Sequence, residues 1–298
     1  MKQNKTLIQI CGPTGIGKTS LAIKLANFFK SEIISSDSRQ FYHEMKIGTA
    51  MPTKQELAEV KHHFIGNRSI HNYYNVSMFE MDSLELLNRL FLEYDMVFMV
   101  GGSGLYMDAI SHGIDDLPKV DLELRNSLEK KLADEGIESL RFELKHLDIE
   151  YYNSVDLKNH KRIIRALEVC MSSGKTYTSF RKKKSKKREF NIAKIALNCD
   201  RKILYERIDK RVDLMISKGL LDEARNLYKY RKLNALNTVG YKELFEYFDE
   251  NISLEKAIEL IKRNSRRYAK RQLSWFGRDN NIIWFQPSQL KEMKLYIS

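Results

Sequence analysis

TLIQICGPTGIGKTSLAIKLANFF, residues 6–29, decides the fold. An apolar run, residues 6–11, meets a glycine-rich turn, and helix-forming residues continue over 19–29. The turn, Gly12-Pro13-Thr14-Gly15-Ile16-Gly17-Lys18-Thr19, fits G-x-x-x-x-G-K-[ST] in full. In such a turn the glycines let backbone N–H groups converge on phosphate oxygens, and the following helix adds its dipole. Lys18 supplies charge, and the Thr19 hydroxyl can ligate Mg²⁺. A strand before and a helix after are the context this pattern needs. It specifies a bound phosphate and leaves the reaction open.

The neighbouring sequence extends the same architecture. EIIS (32–35) reads as a short second strand running into Asp37, and MVFMV (96–100) as a strand covered on both faces. Gly101-Gly102 then turns into a helix over 105–111, and residues 192–197 and 282–285 read as further strands. Strands alternating with helices predict an α/β fold, a P-loop parallel sheet flanked by helices. Between 118 and 189 the strand signal lapses, and 122–132 and 163–171 show helical spacing. The expected organisation is a catalytic core of 1–117 and 190–298, with a mainly helical insertion over 118–189. Residues 204–230 and 254–276 read as two long amphipathic helices that complete the core.

Charge is concentrated. The 298-residue chain carries a formal +12, and residues 158–189 alone hold twelve Lys/Arg against two acids. Residues 262–278 add seven more with no Asp or Glu, so the rest of the chain is net acidic. Two such patches suit a polyanion, most simply nucleic acid. The run RKKKSKKR (181–188) reads either as a solvated tract or as an RNA-attracting one, and Arg263, Arg266, Arg267, Lys270 and Arg271 as a basic stripe. Tyr268, Leu273 and Trp275 on the same helix read as core. Three cysteines, Cys11, Cys170 and Cys199, have no metal-ligand spacing, and adjacent His62 and His63 make a poor metal pair. No apolar run approaches the ~20 residues of a membrane span. The short apolar start of the chain does not resemble a signal peptide, so the expected location is the cytoplasm.

Chemistry narrows at the strand ends. Asp37 stands where open α/β sheets bind ligands and could take a proton from a nucleophile facing the phosphate loop; it equally suits a helix N-cap. Ser103, in Gly101-Gly102-Ser103-Gly104, offers a hydroxyl or a cap. The apolar strand MVFMV lacks the acid that nucleotide hydrolysis usually places at its end, and none follows until Asp108. A small-metabolite kinase remains open on these residues, although it leaves the basic patches unused. A non-catalytic RNA-binding module would leave Asp37 and the phosphate loop idle.

GPTGIGKT, DSRQFYHEMKIGTAMP (37–52), HHFI (62–65), GGSGLY (101–106), HKRIIRALEV (160–169), SGKT (173–176), VGYKE (239–243) and KRQLSWF (270–276) come in one order and spacing. In this the chain resembles the bacterial tRNA dimethylallyltransferases over nearly its whole length. The resemblance implies transfer of a dimethylallyl group from dimethylallyl diphosphate to N6 of the adenosine 3′ of the anticodon. Gly12 to Thr19 would hold the donor diphosphate rather than ATP, with Mg²⁺ near Thr19. Asp37 would act as proton acceptor, with Ser103 and Arg211 near the diphosphate. Asp37, Ser38, Arg39, Gln40, Ser103, Arg125, Lys161, Arg162, Ile163, Ile164 and Arg165 match segments that meet the tRNA anticodon loop. An adenylate prenyltransferase shares the phosphate loop, but the basic insertion favours tRNA. Ser103 replaces a usual Thr, Met51 a frequent Lys and Gly66 a frequent Asp, which bears on rate and neighbouring-base preference. The expected state is a monomer without membrane attachment.

Overall fold

The structure, a computed structural model, describes residues 5–119, 121–181 and 185–298. Its sheet comprises β1 (Thr6–Cys11), β2 (Ile33–Ser35), β3 (His62–His63), β4 (Met96–Val100), β5 (Asn191–Leu197) and β6 (Ile282–Phe285). The order is β3-β2-β4-β1-β5-β6 and every pairing is parallel. Alternate side chains of β1 enter different cores: Ile8 and Ile10 one, Leu7 and Cys11 the other. Helices therefore cover both faces, as the unbroken apolar strands require. Gln9 is the polar exception in β1, and its amide is satisfied by the Met107 carbonyl and the Ser111 hydroxyl.

Register positions the site. Val100 lies level with Ile10 on one side and Ser35 on the other. Three parallel strands thus end at one height, and the loops after β1, β2 and β4 open on the same edge. That edge, at the carboxyl ends of the strands, is where this class of sheet binds ligands.

By compactness the chain forms two units, Met1–Ser111 with Arg188–Ser298, and His112–Lys187. The first carries the sheet and a separate helical core in which Tyr42 and Met45 meet Leu220, Tyr241 and Leu244. The helix expected over 204–230 is instead broken. Arg201–Ser217 ends before Gly219, whose φ of 97° is left-handed, and Leu220–Leu227 starts again with Leu220 buried in that core. A glycine in this conformation stops a helix at little steric cost.

The second unit is helical. Leu122–Glu135, Ile137–Leu147 and His160–Ser173 pack around Leu128, Leu140, Leu144, Ile163 and Leu167. Asp121 and Asn159 cap the first and third of these through their side chains. Buried Glu168 holds two arginines, Arg125 through both Nε and Nη2 and Arg165 through Nη1 at 3.2 Å. Glu168→Ala removes the acceptor that the two half-buried guanidinium groups share, while Arg165 Nη2 keeps the Pro118 carbonyl at 3.1 Å. The full chain is expected to lose about 2 kcal/mol in urea denaturation, because both arginines lose a charge-assisted acceptor.

Of the basic run 181–188, residues 182–184 lie outside the described residues. Arg188, its last member, is not a solvated charge. Its guanidinium is buried against Glu80 at 2.6 Å and the Ile110 and Ala109 carbonyls. This part of the run anchors the strand that follows.

Candidate active site

Gly15 and Gly17 take left-handed φ values of 81° and 100°, which turn the phosphate loop tightly enough to start the helix Lys18–Phe28. That helix has no side-chain N-cap, so its first amides are open to an anion. Ile16 is fully buried and pins the loop to the core. Lys18 Nζ donates to the Pro13 carbonyl at 2.8 Å. Burial, then the charge of Arg211, brings its pKa down to about 8 against the opposing pull of Asp37. The Thr14 amide is not aimed at ligand; it donates to Gln272 Oε1 at 2.8 Å, while Gln272 Nε2 donates to the Gly102 carbonyl at 2.9 Å. One buried side chain from the helix Leu254–Phe276 therefore ties the loop after β1 to the loop after β4.

Asp37 begins no helix. Its Oδ1 accepts from the Arg39 amide at 3.0 Å, and none of the described residues donates to Oδ2. Ser103 precedes the helix Gly104–His112, yet its hydroxyl does not cap it. Ser103 Oγ accepts from the Ser38 amide at 3.1 Å and donates to Ser38 Oγ at 3.2 Å, linking the loops after β2 and β4. Arg39 Nη1 donates to the Asn234 carbonyl, and Gln40 Nε2 to the Thr49 and Ala50 carbonyls. Tyr268, expected in the core, instead faces this site. Shelter of its hydroxyl and the nearby Asp37 charge push the phenol up to about 12. Trp275 Nε1 donates to Asp108, the first acid after β4, at 2.9 Å.

Two cavities open here. One, of about 630 Å³, runs from Gly15, Lys18 and Thr19 to Ile47, Met51 and Leu214. The other, of about 550 Å³, is lined by polar and basic groups including Asn237, Lys242, Glu243, Asn264, Arg267 and Arg271. They share Thr14, Asp37, Arg211, Met215 and Tyr268. Loss of hydration lowers the Arg211 pKa, and Asp37 opposes this. The arrangement places an anion cradle with an apolar end on one side of Asp37, and a polar, basic recess on the other.

Residues 40–279 match the family described as IPP transferase. The chain belongs to that family. It is 53% identical to tRNA dimethylallyltransferase 1 of Bacteroides fragilis over 293 residues, 98% of this chain and 97% of the relative. It is 55% identical to the tRNA dimethylallyltransferase of Christiangramia forsetii over 94% of this chain and 93% of the relative. Among solved structures, a tRNA isopentenylpyrophosphate transferase of Bacillus halodurans superposes with a TM-score of 0.72 at 35% identity, covering 99% and 96% of the two chains. A eukaryotic dimethylallyltransferase acting on tRNA gives 0.80 at 25% identity, covering 97% of this chain and 75% of that one.

In this IPP transferase the expected RNA-facing residues of the insertion divide by burial. Lys161 and Arg162 are exposed. Ile163 and Ile164 are core residues of the unit, so their side chains hold the helix rather than face a ligand. Arg125 and Arg165 are half-buried, with their guanidinium groups on Glu168. Gln272, Tyr268 and Glu243 belong to the site without having been singled out as site residues. Their signal was faint: Gln272 is one of two uncharged polar residues inside KRQLSWF, and Glu243 closes VGYKE.

Proposed function

We propose that this protein transfers a dimethylallyl group from dimethylallyl diphosphate to N6 of the adenosine on the 3′ side of the anticodon in tRNA. The observation that carries the reading is Asp37, standing in the wall shared by the phosphate-loop cavity and the polar one. Donor enters one, the extruded base the other, and the transferred carbon passes between them. Taking the base out of its stack costs a few kcal/mol.

The loop amides and Lys18 hold the diphosphate, and Arg211 faces it from the opposite wall. As the allylic C–O bond breaks, negative charge gathers on the leaving diphosphate and these donors stabilise it. N6 forms the new C–N bond and its proton passes to Asp37. Ser103 keeps Ser38, and so the loop carrying Asp37, in place. Among the described residues no three His, Cys, Asp or Glu groups are clustered to hold a metal. Thr19 lines the donor cavity, however, and one hydroxyl with substrate phosphate oxygens is a donor set that suits Mg²⁺. Bound there, Mg²⁺ supplies further neutralisation of the leaving group.

Lys161 and Arg162 of the insertion and Arg267 and Arg271 of the core are the phosphate contacts we assign to tRNA. No helix among the described residues is long and apolar enough to cross a membrane. We place the protein in the cytoplasm as a monomer.

The test is incubation with Mg²⁺, dimethylallyl diphosphate, ATP and unmodified tRNA, followed by measurement of remaining ATP and by digestion and mass analysis of the nucleosides. A five-carbon gain on adenosine, dependent on the donor, is expected. No gain, with ATP consumed in its place, overturns the reading in favour of a kinase.

A further inference from the structure

The segment 46–51 walls both cavities, yet few of its backbone groups belong to a helix or strand. Gly48 and Thr49 line the polar cavity, and Ile47, Ala50 and Met51 line the apolar end of the donor cavity. The segment turns back on itself, with the Met51 amide on the Lys46 carbonyl and the Ala50 amide on the Ile47 carbonyl. Ala50 has a φ of 46°, a left-handed conformation that an alanine adopts only at a cost. Something outside the segment must hold it in this shape.

Two side chains do so, one at its carbonyls and one at its amides. Gln40 takes the carbonyls of Thr49 and Ala50. Glu223, from the helix Leu220–Leu227, takes three consecutive amides: Lys46 at 2.9 Å, Ile47 at 2.8 Å and Gly48 at 2.8 Å. Its Oε1 also accepts from the hydroxyl of Tyr241 at 2.7 Å, and Tyr241 is fully buried. The carboxylate is therefore fixed from behind before it meets the loop. Packing reinforces the contact, since a β-carbon at Gly48 would stand 2.6 Å from the Tyr241 ring. Successive amides converging on one point form an anion-binding nest, and hydrogen bonds to an ionised acceptor are about twice as strong as neutral ones.

We infer that Glu223 is a positioning residue for the donor site: by clamping the amides of 46–48 it sets the apolar wall against which the prenyl group packs. The inference rests on the proposed function and deepens it. The diphosphate end of the donor meets the phosphate loop, which Glu223 does not touch. The hydrocarbon end meets Ile47, Ala50 and Met51 on one side and Leu214 and Met215 on the other. Loosening the clamp thus affects one end of the donor and spares the other.

The experiment compares two ligands by calorimetry, inorganic diphosphate and dimethylallyl diphosphate, on the wild-type protein, Glu223→Gln and Tyr241→Phe. In Glu223→Gln the carboxamide turns an N–H toward one or more backbone amides that need an acceptor. Its affinity for dimethylallyl diphosphate is expected to fall about tenfold, while that for inorganic diphosphate stays within about twofold. Tyr241→Phe removes one of the four bonds without changing shape, and its donor affinity is expected to fall about threefold with the same split. Equal losses for both ligands, or no loss for either, overturn the inference. Should Glu223→Gln fail to fold, Tyr241→Phe decides by the same criterion. Wild-type transfer to tRNA, run alongside, reports on the parent reading: its absence sinks that reading, whereas an absent split beside intact wild-type transfer sinks only the role of Glu223.

Discussion

Asp37→Asn is expected to lower single-turnover prenyl transfer about 10³-fold, within the range that a positioned general base contributes. Affinity for tRNA and for the donor should be retained. Adenine N6 is a poor nucleophile because its lone pair is delocalised into the ring, so attack on the allylic carbon needs the N6 proton to leave. The Asn variant keeps the shape of Asp37 and an oxygen for the Arg39 amide, which Asp37 now accepts through Oδ1. It loses the ability to take a proton at the second oxygen, to which none of the described residues donates. Loss of that charge also leaves Lys18 and Arg211 without the carboxylate that favours their protonated forms. The lost carboxylate also no longer repels the diphosphate, so the two effects oppose each other and donor binding should change far less than turnover. Transfer within about fivefold of wild type would remove Asp37 from the proton path, because such an effect is below what a general base supplies.

The parts of this site that could be read from sequence are those built within a few residues. The phosphate loop carries its own strand, turn and helix start between Thr6 and Phe28, and Asp37 follows its strand by two positions. Hydrophobic continuity placed β4 and β5, because a strand buried on both faces is mostly apolar; Lys194, buried within β5, is accommodated by its ion pair with Asp279. What escaped depends on contacts made across the chain. Gln272 meets Thr14 across 258 residues, and Glu223 meets Gly48 across 175. No spacing rule connects such positions. Charge patterning failed differently. It identified a basic run correctly but could not tell that Arg188 turns inward onto Glu80, since a buried ion pair and a solvated charge are the same letter in a sequence. The break at Gly219 was legible in principle; a glycine inside helical periodicity costs about 1 kcal/mol and signals a terminus as readily as a tolerated interior position.

Lys18→Met is expected to reduce turnover by about 10²–10³-fold, comparable to removing one donor from a preorganised oxyanion site. Unlike Asp37→Asn, it should weaken donor binding as well, because Lys18 meets the diphosphate before and during bond breaking. The pH dependence identifies the residue more sharply than the magnitude does. With no ligand, burial and the neighbouring Arg211 hold Lys18 down at about 8, so it loses its proton at a pH where ordinary lysines keep theirs. A bound diphosphate adds negative charge beside it and raises that pKa. The bound form then carries more protons than the free form above about pH 8, and the same number below it. Affinity for dimethylallyl diphosphate should therefore be flat from about pH 7 to 8 and fall as pH rises further, with proton uptake on binding. Calorimetry in two buffers of different ionisation enthalpy measures that uptake directly. In Lys18→Met the decline above pH 8 should vanish along with the uptake. A decline of the same slope in wild type and variant would assign the proton to another group and leave Lys18 as a fixed charge.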